Sequence, residues 1–337
     1  SCIGQTIHCP ARYREHRQPI GHGVTGMNRP FFLIGSERSG STMLRLMLDH
    51  HPQLACNLES DFLVSQLDDQ GRLPEIANYH SFLREDRVFR HSRFHVDETL
   101  CYHDLVDSFL EQKRRRDGKQ QVGATIHHNF HRLPRLWPDA RYVYLLRDGR
   151  DVANSAVGMG WAGNAYCGVE LWIQAEARWK ATRGRLAPEN FIEVRFEDLV
   201  RAPTETLTAI CDFLGIPYSE DMLSYPQHSS YGAPDSRLAS QWRARMDAGM
   251  RGLVEARIGE QLTARGYPLS SPRRGAVSRP RDLLLRLDSK LGCARDRVRR
   301  FGLPLTLEDF AARRLGIRRW QVATRTRCDA IIDSRLK

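Results

Sequence analysis

The sequence predicts an α/β fold, a parallel sheet with helices on both faces, and three observations carry that prediction. Short apolar runs occur at Phe31–Ile34 (FFLI), Tyr142–Leu146 (YVYLL) and Phe191–Val194 (FIEV). Each leads through a turn into residues with apolar positions at helical spacing. Unbroken apolar runs mark strands buried on both sides, and strands alternating with helices build a parallel sheet. At 337 residues, 41% apolar and 27% charged, the chain is long enough for one large domain and too apolar for wholesale disorder.

Taken in order, residues 1–26 hold charges and histidines but no apolar core of the kind a secretory signal needs, and read as a poorly ordered extension. Met27, just before the first strand, reads as a biological start. After Phe31–Ile34, a Ser/Gly-rich turn precedes a helix over Thr42–His50. Residues 66–120 read as helical and polar, the run Lys113–Arg116 being a solvated helix end near Asp117-Gly118. The strand Tyr142–Leu146 turns at Arg147-Asp148-Gly149 into a helix through Val152 and Ser155. Gly168–Arg185 carries Leu171, Trp172, Ala175 and Trp179 on one helical face, the pattern of core. A third strand, Phe191–Val194, precedes a helix over Pro203–Leu214 that Gly215 and Pro217 stop. Ser270–Pro280 is a linker by composition, followed by an Arg-rich helix with an apolar stripe at Leu283, Leu284, Leu287 and Leu291, broken at Pro304. The expected division is an extension (1–26), a folded domain (27–270) and a basic helical tail (271–337).

Charge follows that division. The chain carries +11, and residues 273–337 alone hold 18 Lys and Arg against 7 Asp and Glu. The other 272 residues balance at 33 of each sign, so no polyanion-binding body is implied and nucleic acid is not an expected partner. The tail is left with an anionic membrane surface, self-association or packing on the domain as its roles. No stretch approaches the roughly 20 apolar residues of a membrane-spanning helix. Eight cysteines lie scattered with no Cys-x-x-Cys pair, which predicts free thiols in a reducing, cytoplasmic compartment and no structural zinc.

The chemistry concentrates in Gly35-Ser36-Glu37-Arg38-Ser39-Gly40-Ser41-Thr42, between a buried strand and a helix. Such a loop aims backbone N–H groups and a helix N-terminus at one point, an anion cradle. It has the length of the nucleotide P-loop, but Ser41 stands where that motif has its phosphate-binding lysine, which argues against a kinase. Arg-Ser-Gly-Ser-Thr in this place resembles the 5′-phosphosulfate loop of the sulfotransferase family. A second signature of that family, an arginine ending a later strand and a serine eight residues on, is matched by Arg147 and Ser155. Val194–Leu199 (VRFEDL) and Gln261–Tyr267 (QLTARGY) are similar to further family segments, and Pro138–Arg141 is common in bacterial members. The stretch Arg45–Ser60 resembles the protein-tyrosine sulfotransferase branch and aligns Glu59 with that branch's catalytic glutamate.

This resemblance implies a P-loop-like core and transfer of a sulfuryl group from 3′-phosphoadenosine 5′-phosphosulfate to a small-molecule or peptide hydroxyl, with no metal. It implies Glu59 as general base; Arg38, Ser39, Gly40, Ser41 and Thr42 on the 5′-phosphosulfate; and Arg147 and Ser155 on the 3′-phosphate. The other reading of Glu59 is a helix cap near Asp61; that of Arg147 is an ion pair with Asp151. Two departures stand out. A lysine that related enzymes carry before the Pro138 region is absent from Gly123–His128, so His127 or His128 either supplies the proton or charge or is a structural histidine. Ser240-Gln241-Trp242 lacks the lysine of a Ser-Lys-Trp segment, and Phe196 replaces a tyrosine, which weakens the case for tyrosine as acceptor. Trp161 and Tyr166, among glycines, read as a lid or as core packing. The rival functions are a P-loop kinase and a non-catalytic protein that binds anionic partners through its tail.

Overall fold

The computed structural model describes residues 29–270 and 275–335; the extension, Met27 and part of the linker lie outside them. The chain enters β1 (Phe31–Gly35), turns through residues 36–40 into α1 (Ser41–His50) and returns as β2 (Leu54–Glu59). A helical layer of α2 (Ile76–Glu85), α3 (Arg87–Ser92) and α4 (Tyr102–Asp117) precedes β3 (Gln121–Ile126), and the single turn α5 (Leu133–Leu136) precedes β4 (Arg141–Leu146). Then come α6 (Gly149–Gly158), the short α7 (Ala165–Gly168), α8 (Glu170–Arg183) and β5 (Phe191–Arg195). The helices α9 (Phe196–Arg201), α10 (Pro203–Leu214), α11 (Trp242–Arg245) and α12 (Ala248–Ala264) close the body, and α13 (Arg279–Phe301), α14 (Leu303–Leu315) and α15 (Arg318–Arg335) follow the linker.

The sheet is five-stranded and parallel, in the order β2-β3-β1-β4-β5. Alternation along each strand sorts its side chains to two faces. Phe32, Ile34, Tyr142 and Tyr144 join one apolar core beneath α4, α6, α8 and α12, while Phe31, Leu33, Val143 and Leu145 join the other with α1, α9 and α10. The apolar runs of β1 and β4 follow from burial on both faces.

Neither β2 nor β3 is marked as a strand by the sequence, because polar residues interrupt them. Those residues are paired in place: Asn57 donates to Ser60 Oγ at 2.9 Å and Gln121 to the Leu214 carbonyl at 3.1 Å. The Lys113–Arg116 run does end a helix, but Lys113 is buried and bridges Asp49 and Asp117 at 3.0 and 2.6 Å. The break between α13 and α14 falls at Gly302, in the left-handed region at φ 79°, while Pro304 sits in the first turn of α14 where its missing N–H costs nothing.

Candidate active site

The order of the strands creates the site. β1 and β4 are neighbours, yet the helix after β1 packs on one face and the helix after β4 on the other. Their two loops diverge and leave a crevice at the carboxyl ends of the strands, where open α/β sheets bind ligands. A cleft of about 900 Å³ opens there. Its lining includes Arg38, Gly40, Ser41, Thr42, Glu59, His127, Arg147 and Ser155. Ser39 is buried behind this wall, and His128 lies outside it.

The loop is shaped to receive an anion. Arg38 and Gly40 both take positive φ, 68° and 96°. At Gly40 a side chain is excluded twice over, by that φ and by the Phe196 ring, which a Cβ would overlap. α1 starts at Ser41 with neither a side-chain cap nor an acidic residue in its first turn, which leaves its first N–H groups for another partner. Ser39 Oγ is buried with no hydrogen-bond partner among the described residues, a polar atom of the kind an anion would satisfy.

The two signature arginines meet. Arg38 Nε donates to Ser155 Oγ at 3.0 Å, and Arg147 Nη1 donates to the Arg38 carbonyl at 3.1 Å. Arg147 also donates to the Leu238 carbonyl at 3.1 Å and lies 4.3 Å above the Phe196 ring, a cation–π contact. Its ion pair with Asp151 is long, at 3.8 Å, and its Nε has no hydrogen-bond partner among the described residues. Burial lowers the pKa of this guanidinium and pushes Asp151 up to about 6 against the pull of Arg147.

The candidate base and the two histidines separate cleanly. A bulge between Asn57 and Glu59 shifts the register of β2 against β3 and re-aims the strand end. Glu59 emerges there exposed, on the cleft wall; the turn Asp61–Leu63 begins at Ser60 and has no side-chain cap, so Glu59 does not cap it. His127 is buried: its Nδ1 donates to the Gly35 carbonyl at 3.0 Å, which in the neutral ring leaves Nε2 to accept from Ser41 Oγ at 3.1 Å. His128 is half exposed and faces Glu37 at 3.5 Å, a contact that raises its pKa. Asp61 fixes the turn by accepting the backbone N–H groups of His127 and His128, at 3.1 and 2.6 Å, and burial pushes its carboxyl above the usual range. His131 contacts Asp69 at 3.1 Å.

Several cleft residues escape motif reading. Glu197 of the VRFEDL segment accepts the Asp148 N–H at 3.0 Å and so holds the turn that presents Arg147. Of the arginines around Ser240–Trp242, only Arg245 lines the cleft; Arg237 pairs with Asp235 at 2.6 Å, and Arg243 stacks on Trp242. Trp161 also lines the cleft, its ring 5.7 Å from the Arg38 guanidinium, whereas Tyr166 is buried against the tail. Only side-chain placement in three dimensions separates these residues from their neighbours.

Residues 30–220, more than half of the chain, match the Sulfotransferase family. The chain belongs to this family. Among curated sulfotransferases it is 27% identical over 232 residues to protein-tyrosine sulfotransferase A of Caenorhabditis elegans, covering 60% of this chain and 54% of that protein. It is 26% identical to protein-tyrosine sulfotransferase 2 of Gallus gallus, covering 58% of this chain and 53% of that one. The chain thus spans about half the length of these curated relatives. The sulfotransferase domain of the Synechococcus PCC 7002 olefin synthase has the same fold, with a TM-score of 0.55 at 21% identity over 72% of this chain and 96% of that domain.

The two protein-tyrosine sulfotransferases are animal proteins, and they lend no support to the bacterial character expected from Pro138–Arg141. The cytoplasmic placement is withdrawn as well, because it conflicts with the protein-tyrosine sulfotransferase branch of these relatives. Scattered cysteines misled that reading because unpaired thiols do not identify a compartment when they are inaccessible. Cys56, Cys211 and Cys328 are free and buried, and burial raises the Cys56 thiol to about 12 and the Cys211 thiol to about 11, where they are inert. No helix of the described residues is long and apolar enough to cross a membrane.

Proposed function

We propose that this chain transfers the sulfuryl group of 3′-phosphoadenosine 5′-phosphosulfate to a hydroxyl acceptor. The observation that carries the proposal is the convergence of Arg38, Arg147 and Ser155 at the mouth of the β1/β4 crevice, with Glu59 on the wall of the same cleft. The unpartnered Ser39 Oγ and Arg147 Nε fit two anionic groups of one nucleotide. Arg38 and the N–H groups of Ser41 and Thr42 would hold the 5′-phosphosulfate; Arg147, with Ser155, the 3′-phosphate.

In the reaction the acceptor oxygen attacks sulfur while its proton passes to the Glu59 carboxylate. The bond from sulfur to the bridging oxygen breaks, and its electron pair stays on the 5′-phosphate of adenosine 3′,5′-bisphosphate. Charge develops on that oxygen, so Arg38 and the loop donors act where stabilisation counts most. His127 reaches the same loop through Ser41 and orients it, while Arg245 offers a cation where the Ser-Lys-Trp lysine is missing. The kinase reading has no loop lysine to support it, and the Ser41 hydroxyl is engaged with His127. The relatives make a tyrosine phenol the first acceptor to test.

Glu59→Gln is the discriminating variant. Sulfate transfer to the acceptor should fall about 10²- to 10⁴-fold, the range of a lost general base, with adenosine 3′,5′-bisphosphate binding retained. Undiminished transfer would remove Glu59 from the role.

A further inference from the structure

The helix α13 packs on the body through the wrong kind of face. Asp282, Leu285, Ser289, Gly292 and Asp296 recur at alternating spacings of three and four, so with about 3.6 residues per turn they share one side. That side meets the segment before α7 and α8: Ser289 Oγ accepts the Gly163 N–H at 2.9 Å, Asn164 donates to the Leu285 carbonyl and to Asp288 at 2.8 and 2.9 Å, and Tyr166 donates to Asp282 at 2.7 Å. The apolar stripe faces the other way. Leu283, Leu284, Leu287 and Leu291 are 59%, 65%, 47% and 59% exposed. In α14, Leu303, Leu307 and Phe310 repeat the pattern at 54%, 57% and 67%.

The charges around the stripe identify what covers it. By helical position, Arg286 and Lys290 border one edge, and Arg281, Arg295 and Arg299 border the other. Arg281, Lys290, Arg295 and Arg299 form no ion pair among the described residues. The carboxylates of the helix are turned away or engaged: Asp282 with Tyr166 and Arg286, Asp288 with Asn164, and Asp296 with Arg300 at 2.6 Å. The outward side therefore presents leucine flanked by uncompensated cations. A second copy laid on this face would set cation against cation. An anionic bilayer accepts both components, with leucines entering the acyl boundary and long basic side chains reaching the headgroups.

We propose that α13, extended by α14, is a binding surface for anionic phospholipid membranes, on which the chain lies without crossing. This proposal is independent of the transfer chemistry. The test is flotation of the full chain with vesicles of phosphatidylcholine containing about one third phosphatidylserine, a mixture with a strong negative surface potential, against vesicles of phosphatidylcholine alone. The chain should float with the anionic vesicles only and be released by added salt. The variant Leu284→Asp/Leu287→Asp, altered only at exposed positions, should lose vesicle affinity by about tenfold or more, with adenosine 3′,5′-bisphosphate binding unchanged. No flotation, equal flotation with neutral vesicles, or an unaltered double variant would each overturn the proposal. So would light scattering that shows a dimer which the same substitutions dissociate, since the stripe would then be a protein interface.

Discussion

Asp151 and Arg150, one residue apart on α6, carry opposite electrostatic burdens. The Asp151 carboxyl is raised to about 6 by burial, with Oδ1 accepting the Trp242 backbone N–H at 2.7 Å and Oδ2 facing Arg147 at 3.8 Å. Because the folded pKa lies above the ordinary value of 3.8, the fold binds this proton more tightly than the unfolded chain does, so the group's contribution to stability falls as pH rises from about 4 to about 6 and is constant above that. An ionised Asp151 also competes with a nucleotide phosphate for Arg147. Affinity for adenosine 3′,5′-bisphosphate should therefore increase as pH falls through about 6, and Asp151→Asn should remove that component of the profile in calorimetric titrations. Arg150 is fully buried between Asp148 and Glu255, at 2.7 and 2.6 Å, beneath the Trp242 ring. Arg150→Ala strands two buried carboxylates and should cost about 3–5 kcal/mol in chemical denaturation. The sequence made the motif residues legible because anion-binding loops demand particular residue types. The roles of Phe196 as the platform under Arg147 and of Arg245 on the cleft wall were not legible, since an aromatic or an arginine at a helix end has no spacing rule.

Between elements, the coupling to watch is that of the tail helix to the cleft. α13 crosses the Gly160–Asn164 segment so closely that a Cβ at Gly292 would press on the Gly163 backbone, and one at Gly163 would overlap Ser289. That segment carries Trp161, which faces Arg38. Gly292→Val should displace Trp161 and weaken adenosine 3′,5′-bisphosphate binding by about three- to tenfold, a misplacement of modest contacts. In a Trp161→Ala background the same substitution should have no further effect; additive losses would show that the tail acts by another route. At this scale β1, β4 and β5 were readable as apolar runs. β2 and β3 were hidden because Asn57 and Gln121 find their hydrogen-bond partners only in the assembled fold. The bulge that turns Glu59 toward the cleft has no signature of its own.

The whole molecule is a parallel α/β body of balanced charge with a basic helical appendage, and the two halves ask different questions. The +11 belongs to the appendage, so under the proposed function the nucleotide would be met by a few local cations and not by a global field. The resemblance in the strand-loop-helix units carried the family. It did not carry the compartment, because the cysteine pattern reports thiol spacing and not thiol accessibility. The most direct measurement is calorimetric titration of the full chain with adenosine 3′,5′-bisphosphate in the absence of magnesium. Saturable one-to-one binding, weakened about ten- to a hundredfold by Arg147→Ala as expected for a charge-assisted contact, is the predicted result. Heat only from ATP with magnesium, or binding indifferent to Arg147, would contradict the account.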